Sequence, residues 1–169
     1  MERRFHAYLW GERCTGLFLA GWAVLSASAA GLAYHYWPGK LLQAMLMVVC
    51  LLSLVQLRAG VRRLWQARRL KKALHPIVEI APPSFAAQEI PRLEDREQVA
   101  MRRRFVEQAL FVMGLCFALA GGFRVSGDFL LGTGIGLCIQ MAVLLIVTLT
   151  SQWRDSVYRN EVERERGPF

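Results

Sequence analysis

The sequence predicts an all-α membrane protein, with four transmembrane helices arranged as two in-out-in hairpins. The first observation behind this is the clustering of apolar residues. Cys14–Gly39 carries no charge over 26 residues, Leu41–Leu57 none over 17, Gln108–Phe123 none over 16, and Phe129–Trp153 none over 25. A hydrocarbon core of about 30 Å takes roughly 20 helical residues. The third window reaches that length if it starts at Phe105 and Glu107 lies at the interface. The second observation is the segment between the hairpins, which holds twelve of the 21 Lys and Arg residues. The third is charge asymmetry: nineteen cations fall in the two terminal segments and the central one, against only Lys40 and Arg124 at the hairpin tips. Cytoplasmic loops carry the excess of Lys and Arg, so both termini and the central segment are expected on the cytoplasmic side. Composition alone is less decisive, since a mean hydropathy of +0.29 also suits a soluble core.

The chain then divides in order. Residues 1–13, with Phe5, Tyr8 and Trp10 among basic residues, read as a cytoplasmic interfacial segment. Residues 14–57 form the first hairpin. Its opening imitates a signal peptide, ending in Ala27-Ser28-Ala29, but the apolar stretch runs on to Tyr36, so an uncleaved anchor is expected. Tyr34 to Lys40 makes the first outer tip, with Pro38-Gly39 as the turn. Residues 58–105 read as a basic cytoplasmic loop. A helix is expected to continue to Leu74 and to end at His75-Pro76, before an extended linker from Pro76 to Pro91. Residues 106–153 form the second hairpin and 154–169 a cytoplasmic tail.

Small residues mark helix-contact faces, because membrane helices associate by close backbone approach rather than by a hydrophobic drive. Helix one carries Gly16, Ala20, Ala23 and Ala27, continued by Ala30, at spacings of three and four. Helix three carries Gly114, Ala118 and Gly122, and helix four Gly132 and Gly136, with Gln140 one turn further on the same face. Leaving aside Ala30, these ten residues are the expected packing or partner face. Gln140 falls near the bilayer midplane, where an amide calls for an interhelical hydrogen bond worth about 1 kcal/mol. Gly132-Thr133-Gly134-Ile135-Gly136 is no phosphate loop: it lacks a preceding strand, the G-x-G-x-x-G spacing and a Lys. Beyond helix two, Arg58, Arg62, Arg63, Arg68, Arg69, Lys71 and Lys72 alternate with Val61, Leu64 and Trp65, a pattern suited to contact with anionic lipid headgroups.

The exits of helices two and four also match. Gln56, Arg58, Val61 and Arg63 align with Gln152, Arg154, Val157 and Arg159, and Glu12 and Glu107 precede Arg58 and Arg154 by 46 and 47 residues. This points to a parallel internal duplication about an axis along the membrane normal. The Gly-rich start of helix four, then Gln140, the aliphatic run and the charged exit with Arg154 and Tyr158 resemble a pattern in uncharacterised small bacterial inner-membrane proteins. The resemblance covers Gly132–Tyr158, about a sixth of the chain near its C-terminal end. It implies that membrane setting and no activity. Many such proteins have an acid before the exit, where this chain has Thr148 or Thr150.

Function is narrowed by what is missing from the pattern. Disulfide-generating membrane enzymes need cysteine pairs in outer loops, whereas Cys14, Cys50, Cys116 and Cys138 all lie in or beside apolar windows. His6, His35 and His75 are too scattered for a metal set, and no cofactor motif is present. The net charge of +8 reports orientation rather than nucleic-acid binding. A proton-coupled transporter needs a membrane-embedded acid, and none lies in 14–57, 108–127 or 129–153. The expectation is a non-catalytic inner-membrane protein acting through helix–helix contacts with a protein partner or a second copy, either as an accessory subunit or as an immunity protein against a membrane-inserting toxin. The alternative is a small oligomeric channel or transporter for a small solute, lined by Gln43 and Gln140.

Overall fold

The computed structural model describes the backbone of residues 2–36, 39–80, 82–123 and 127–165, and the side chains of these except 2–4, 74–80, 82–88 and 165. The described chain folds into four helices: α1 (Glu2–Tyr36), α2 (Lys40–Ile80), α3 (Pro82–Gly122) and α4 (Asp128–Glu165). All four are long and apolar enough to cross a membrane. At 1.5 Å per residue they run about 50–60 Å, well beyond a hydrocarbon core of about 30 Å. Trp37, Pro38, Arg124 and Ser126 of the two tips lie outside the described residues. Gly127, just before α4, has φ = +75°, a left-handed conformation that glycine adopts without steric cost.

Two sequence expectations change. The first 13 residues are not a separate segment lying on the membrane; from Glu2 they are the first turns of α1. Phe5, Tyr8, Leu9 and Glu12 are buried in the bundle and continue the stripe of Gly16, Leu19, Ala23 and Ala30. An unbroken i, i+3/i+4 face favours one long helix over a break at Arg13. The central segment is also not a loop with an extended linker, since α2 runs past Pro76 to Ile80 and α3 starts at Pro82. Pro82 and Pro83 fall in the first turn, where the missing N–H has no intrahelical partner in any case. Pro91 lies inside α3. The turns on either side of it are held by burial of Glu89 and Leu93.

α1 packs along α2 and α3 along α4, and the two hairpins join mainly through α2 and α4, which run parallel. α1 and α3 occupy opposite outer corners. One end of the bundle holds the two hairpin turns (the tip end); the other holds the α2–α3 junction (the basic end). The small residues set the crossings. A Cβ on Gly60 would lie 2.8 Å from the Ala20 amide nitrogen and the Gly16 carbonyl of α1. Gly114 and Gly134 bring α3 and α4 together, and Gly132 and Gly136 sit against the Leu41 and Met45 backbone of α2. Between these crossings lie two apolar layers, one around Leu19, Leu137 and Met141 and one around Ala30, Leu46 and Val49. A third, at the basic end, is built from Phe5, Tyr8, Leu9, Leu93, Tyr158 and Val162.

The matching exits of α2 and α4 are not level. Contacts pair Met45 with Gly136, Gln56 with Gln140 and Arg63 with Ser151. These offsets of 84–91 residues differ from the 96 that relates Arg58 to Arg154, so the two tracts sit one to three turns apart in height. A different landmark is level. Gly11 abuts Arg154 and Arg63 reaches Ser151, which brings Trp10, Trp65 and Trp153 to one height on three helices, all exposed. Tyr34, Tyr36, Phe123 and Phe129 are exposed at the tip end. Trp153 and Phe129, 24 residues apart on one helix, are separated by about 36 Å, as expected of aromatic belts flanking a bilayer core. Measured from Trp65, Arg58 and Arg62 lie on the membrane side of the belt, within reach of the headgroups by snorkelling.

Substituting the close-approach glycines should therefore destabilise the bundle. Gly60→Ala and Gly134→Ala should each cost about 1–3 kcal/mol by overpacking, whereas Gly122→Ala, with open space around it, should be neutral or slightly stabilising. Thermal unfolding in mild detergent, followed by helicity, checks the contrast; equal midpoints for all three would contradict these crossings.

Candidate functional site

Between the third apolar layer and the rest of the bundle lies a buried layer of charge to which all four helices contribute. α1 supplies Tyr8, Glu12 and Thr15, α2 supplies Arg63, α3 supplies Arg92 and Arg96, and α4 supplies Ser151, Arg154, Asp155 and Tyr158. Glu12 is 3% exposed and sits at the centre. It accepts from Arg154, and Arg96 pairs with it at 3.1 Å. Arg96 also reaches Asp155 at 3.5 Å and donates to the Tyr8 hydroxyl at 2.5 Å. Arg154 donates to Thr15 Oγ1 at 3.0 Å, and Arg63 to Ser151 Oγ at 3.1 Å. One carboxylate thus ties α1 to α3 and α4 together.

The aromatic part of the layer is equally specific. Tyr8 and Tyr158 stack at 4.3 Å between centroids and 12° between planes. Arg92, Arg96 and Arg154 stand 5.7–5.9 Å from the Tyr8 ring centroid, within cation–π range. Arg92 forms a two-point contact with the buried Glu89 one turn before it. Guanidinium is the side chain suited to such forked pairing and to contact with an aromatic face. Chemically the arrangement is an electrostatic lock, in which the carboxylates act as acceptors for guanidiniums already in place.

A second polar layer lies deeper. Gln140 Oε1 accepts from Gln56 Nε2 at 2.8 Å and from Trp22 Nε1 at 3.2 Å, joining α4, α2 and α1. The Ser26 and Ser53 hydroxyls are 2.7 Å apart beside it. Toward the basic end, Glu107 is buried, accepting from Arg103 at 2.7 Å and Thr148 at 3.1 Å. Glu107, expected at the level of the membrane interface, is thus enclosed between α3 and α4.

Most of the residues expected to form a partner face serve contacts within the chain. Gly16, Ala23, Gly114, Gly132, Gly136 and Gln140 are buried, and Ala20, Ala27 and Ala118 half-buried. Gly122 is exposed with nothing near it. Of the cations read as lipid contacts, Arg58, Arg62, Arg68, Arg69, Lys71 and Lys72 are exposed, while Arg63 turns inward to Ser151. Arg69 stacks on Trp65 at 3.4 Å. Gln43 lines an apolar groove near the tip end with Tyr34, Lys40 and Phe129. Cys14, Cys50 and Cys116 are exposed free thiols, and Cys138 is half-buried against the Phe111 carbonyl. Among the described residues no group of three His, Cys, Asp or Glu side chains is placed to hold a metal ion.

Sequence reasoning passed over Arg96 and Asp155, read Tyr8 only as an interfacial aromatic, used Glu12 and Gln56 only as repeat markers, and took Arg154 as a repeat marker and part of a charged exit. One signal was available: Tyr8, Glu12 and Gly16 fall at i, i+4, i+8, so the acid shares the face of the small-residue ridge. Its partners were not legible, because Arg154 is 142 residues away. No protein-family model, curated protein or solved structure matches the chain.

The lock should dominate stability at the basic end. Glu12→Gln leaves Arg96 and Arg154 without their shared buried anion and should cost about 3–5 kcal/mol. Glu94→Gln removes a half-exposed partner of Arg159 and should cost less than about 1 kcal/mol. Unfolding titrations in mixed micelles read both; similar losses for the two would contradict a central role for Glu12.

Proposed function

We propose that the chain is a non-catalytic bacterial inner-membrane protein that works as an accessory subunit, docking a protein partner at its basic end, with both termini and the α2–α3 junction in the cytoplasm. The observation that carries this is how its polar groups are distributed. The buried charges are used on one another to fasten the four helices. The cations of the α2 extension instead face outward: Arg68, Arg69, Lys71 and Lys72 are exposed and make no ion pair among the described residues. They stand just past Trp65, about 5–10 Å along the helix, where they meet both anionic headgroups and a cytoplasmic partner with an acidic surface. Complementary charge steers such encounters and excludes wrong partners.

Burial of the small-residue faces bears on the rival forms of the reading. An immunity protein gripping a toxin inside the bilayer through Gly132 and Gly136 would first have to part α4 from α2. A pore lined by Gln140 would have to break its bonds to Gln56 and Trp22. Docking at the basic end requires neither.

Two measurements test this. With the native cysteines replaced, Gly39→Cys and Gly127→Cys should react with a membrane-impermeant maleimide on intact cells, and Lys72→Cys only after lysis; the reverse pattern would refute the orientation. Replacing Arg68, Arg69, Lys71 and Lys72 with Gln should lower recovery of a stoichiometric partner in mild detergent about ten-fold or more, the scale of a charge-steered interface, with the helical content unchanged. Solute flux through liposomes containing only this protein would overturn the accessory reading.

A further inference from the structure

A groove of about 540 Å³ opens between α3 and α4 at the basic end, on a different face from the α2 cations. Its walls include Leu149, Met101 and the exposed Trp153, so it crosses the level of the tryptophan belt. Charge along it is ordered. Arg104 lies at the membrane-side end, exposed and without an ion pair among the described residues. Glu97 and Glu163 line the water-side end. Glu97 is seven residues from Arg104 along α3, or about 10 Å. At that outer end Arg159 is surrounded by Glu94, Glu97 and Glu163 at 3.3, 2.9 and 2.8 Å. Three carboxylates around one guanidinium leave a local surplus of negative charge.

The groove is therefore positive toward the bilayer and negative toward water, with apolar walls where acyl chains begin. A zwitterionic phospholipid headgroup has the matching order, with phosphate next to the glycerol and ammonium further out. An anionic headgroup would bring its charge up against the surplus carboxylates. A primary ammonium has three N–H donors for their remaining lone pairs, whereas the quaternary trimethylammonium of a choline headgroup has none. We propose that this groove binds one aminophospholipid of the phosphatidylethanolamine class, with phosphate on Arg104, ammonium on Glu97 and Glu163, and acyl chains leaving past Leu149 and Met101. This stands independently of the accessory-subunit reading.

The test is native mass spectrometry of the full chain in mild detergent, titrated separately with phosphatidylethanolamine, phosphatidylcholine and phosphatidylglycerol. One phosphatidylethanolamine should be retained about five-fold or more over either competitor, the equivalent of about 1 kcal/mol. Glu97→Gln combined with Glu163→Gln should reduce that preference to the phosphatidylcholine level, and Arg104→Gln should weaken both zwitterionic lipids together. These side chains are exposed, so helicity and thermal midpoint should stay unchanged in the variants. Equal retention of the three lipids, preference for phosphatidylglycerol, or a phosphatidylethanolamine preference that survives both variants would each overturn the proposal.

Discussion

The contact on which the rest of the bundle depends is the double grip of Arg96 and Arg154 on Glu12. α1 and α3 sit at opposite corners and make no close backbone approach. Without this carboxylate, each hairpin would still hold together through its own glycine crossing, and the two would join along α2 and α4, through the third apolar layer and through the neutral Trp22–Gln140 bond. Glu12 closes the basic end by linking the outer corners through side chains. Burying charge this way is costly unless it is paired; here Asp155 serves Arg96, Thr15 serves Arg154 and the Tyr8 ring serves both, while Arg154 Nε and Asp155 Oδ1 have no hydrogen-bond partner among the described residues.

The polar layers also give the bundle its register. Apolar surfaces alone would tolerate sliding of one helix along another, because one Leu or Val is much like the next. The Gln140 bridge to Gln56 and Trp22 and the Ser26–Ser53 contact fit at one alignment only. Placed among the apolar layers, they fix how deep α1, α2 and α4 sit. That is why three tryptophans distant in sequence emerge at one height.

The helical class and the four spans were legible because a charge-free window of this length has few other uses, and the turns because the charge asymmetry brackets them. The small-residue ridges were legible as contact faces for the same local reason, since i, i+4 spacing is visible in one helix. Which helix each ridge meets was not, because that choice rests on long-range pairs. The prolines misled: Pro76, Pro82 and Pro83 read as an extended linker, yet the latter two sit in a first turn that proline suits. The level at which the second helix meets the tryptophan belt was not legible either. Arg58 reads as a boundary in sequence, but Trp65 shares its height with Trp10 and Trp153, two turns further out.

The order in which the lock's parts are made has a consequence for biogenesis. Glu12 leaves the ribosome first, and Arg154 follows 142 residues later. At typical synthesis rates that interval is on the order of 10 s. During it the first hairpin is already apolar enough to enter the bilayer, but its acid has only Arg63 of α2 near it and lacks both guanidiniums of the second. A half-made chain therefore exposes a carboxylate that the finished one hides. Arrival of the second hairpin removes it, which makes completion of the fold readable as a change in surface charge at the membrane face.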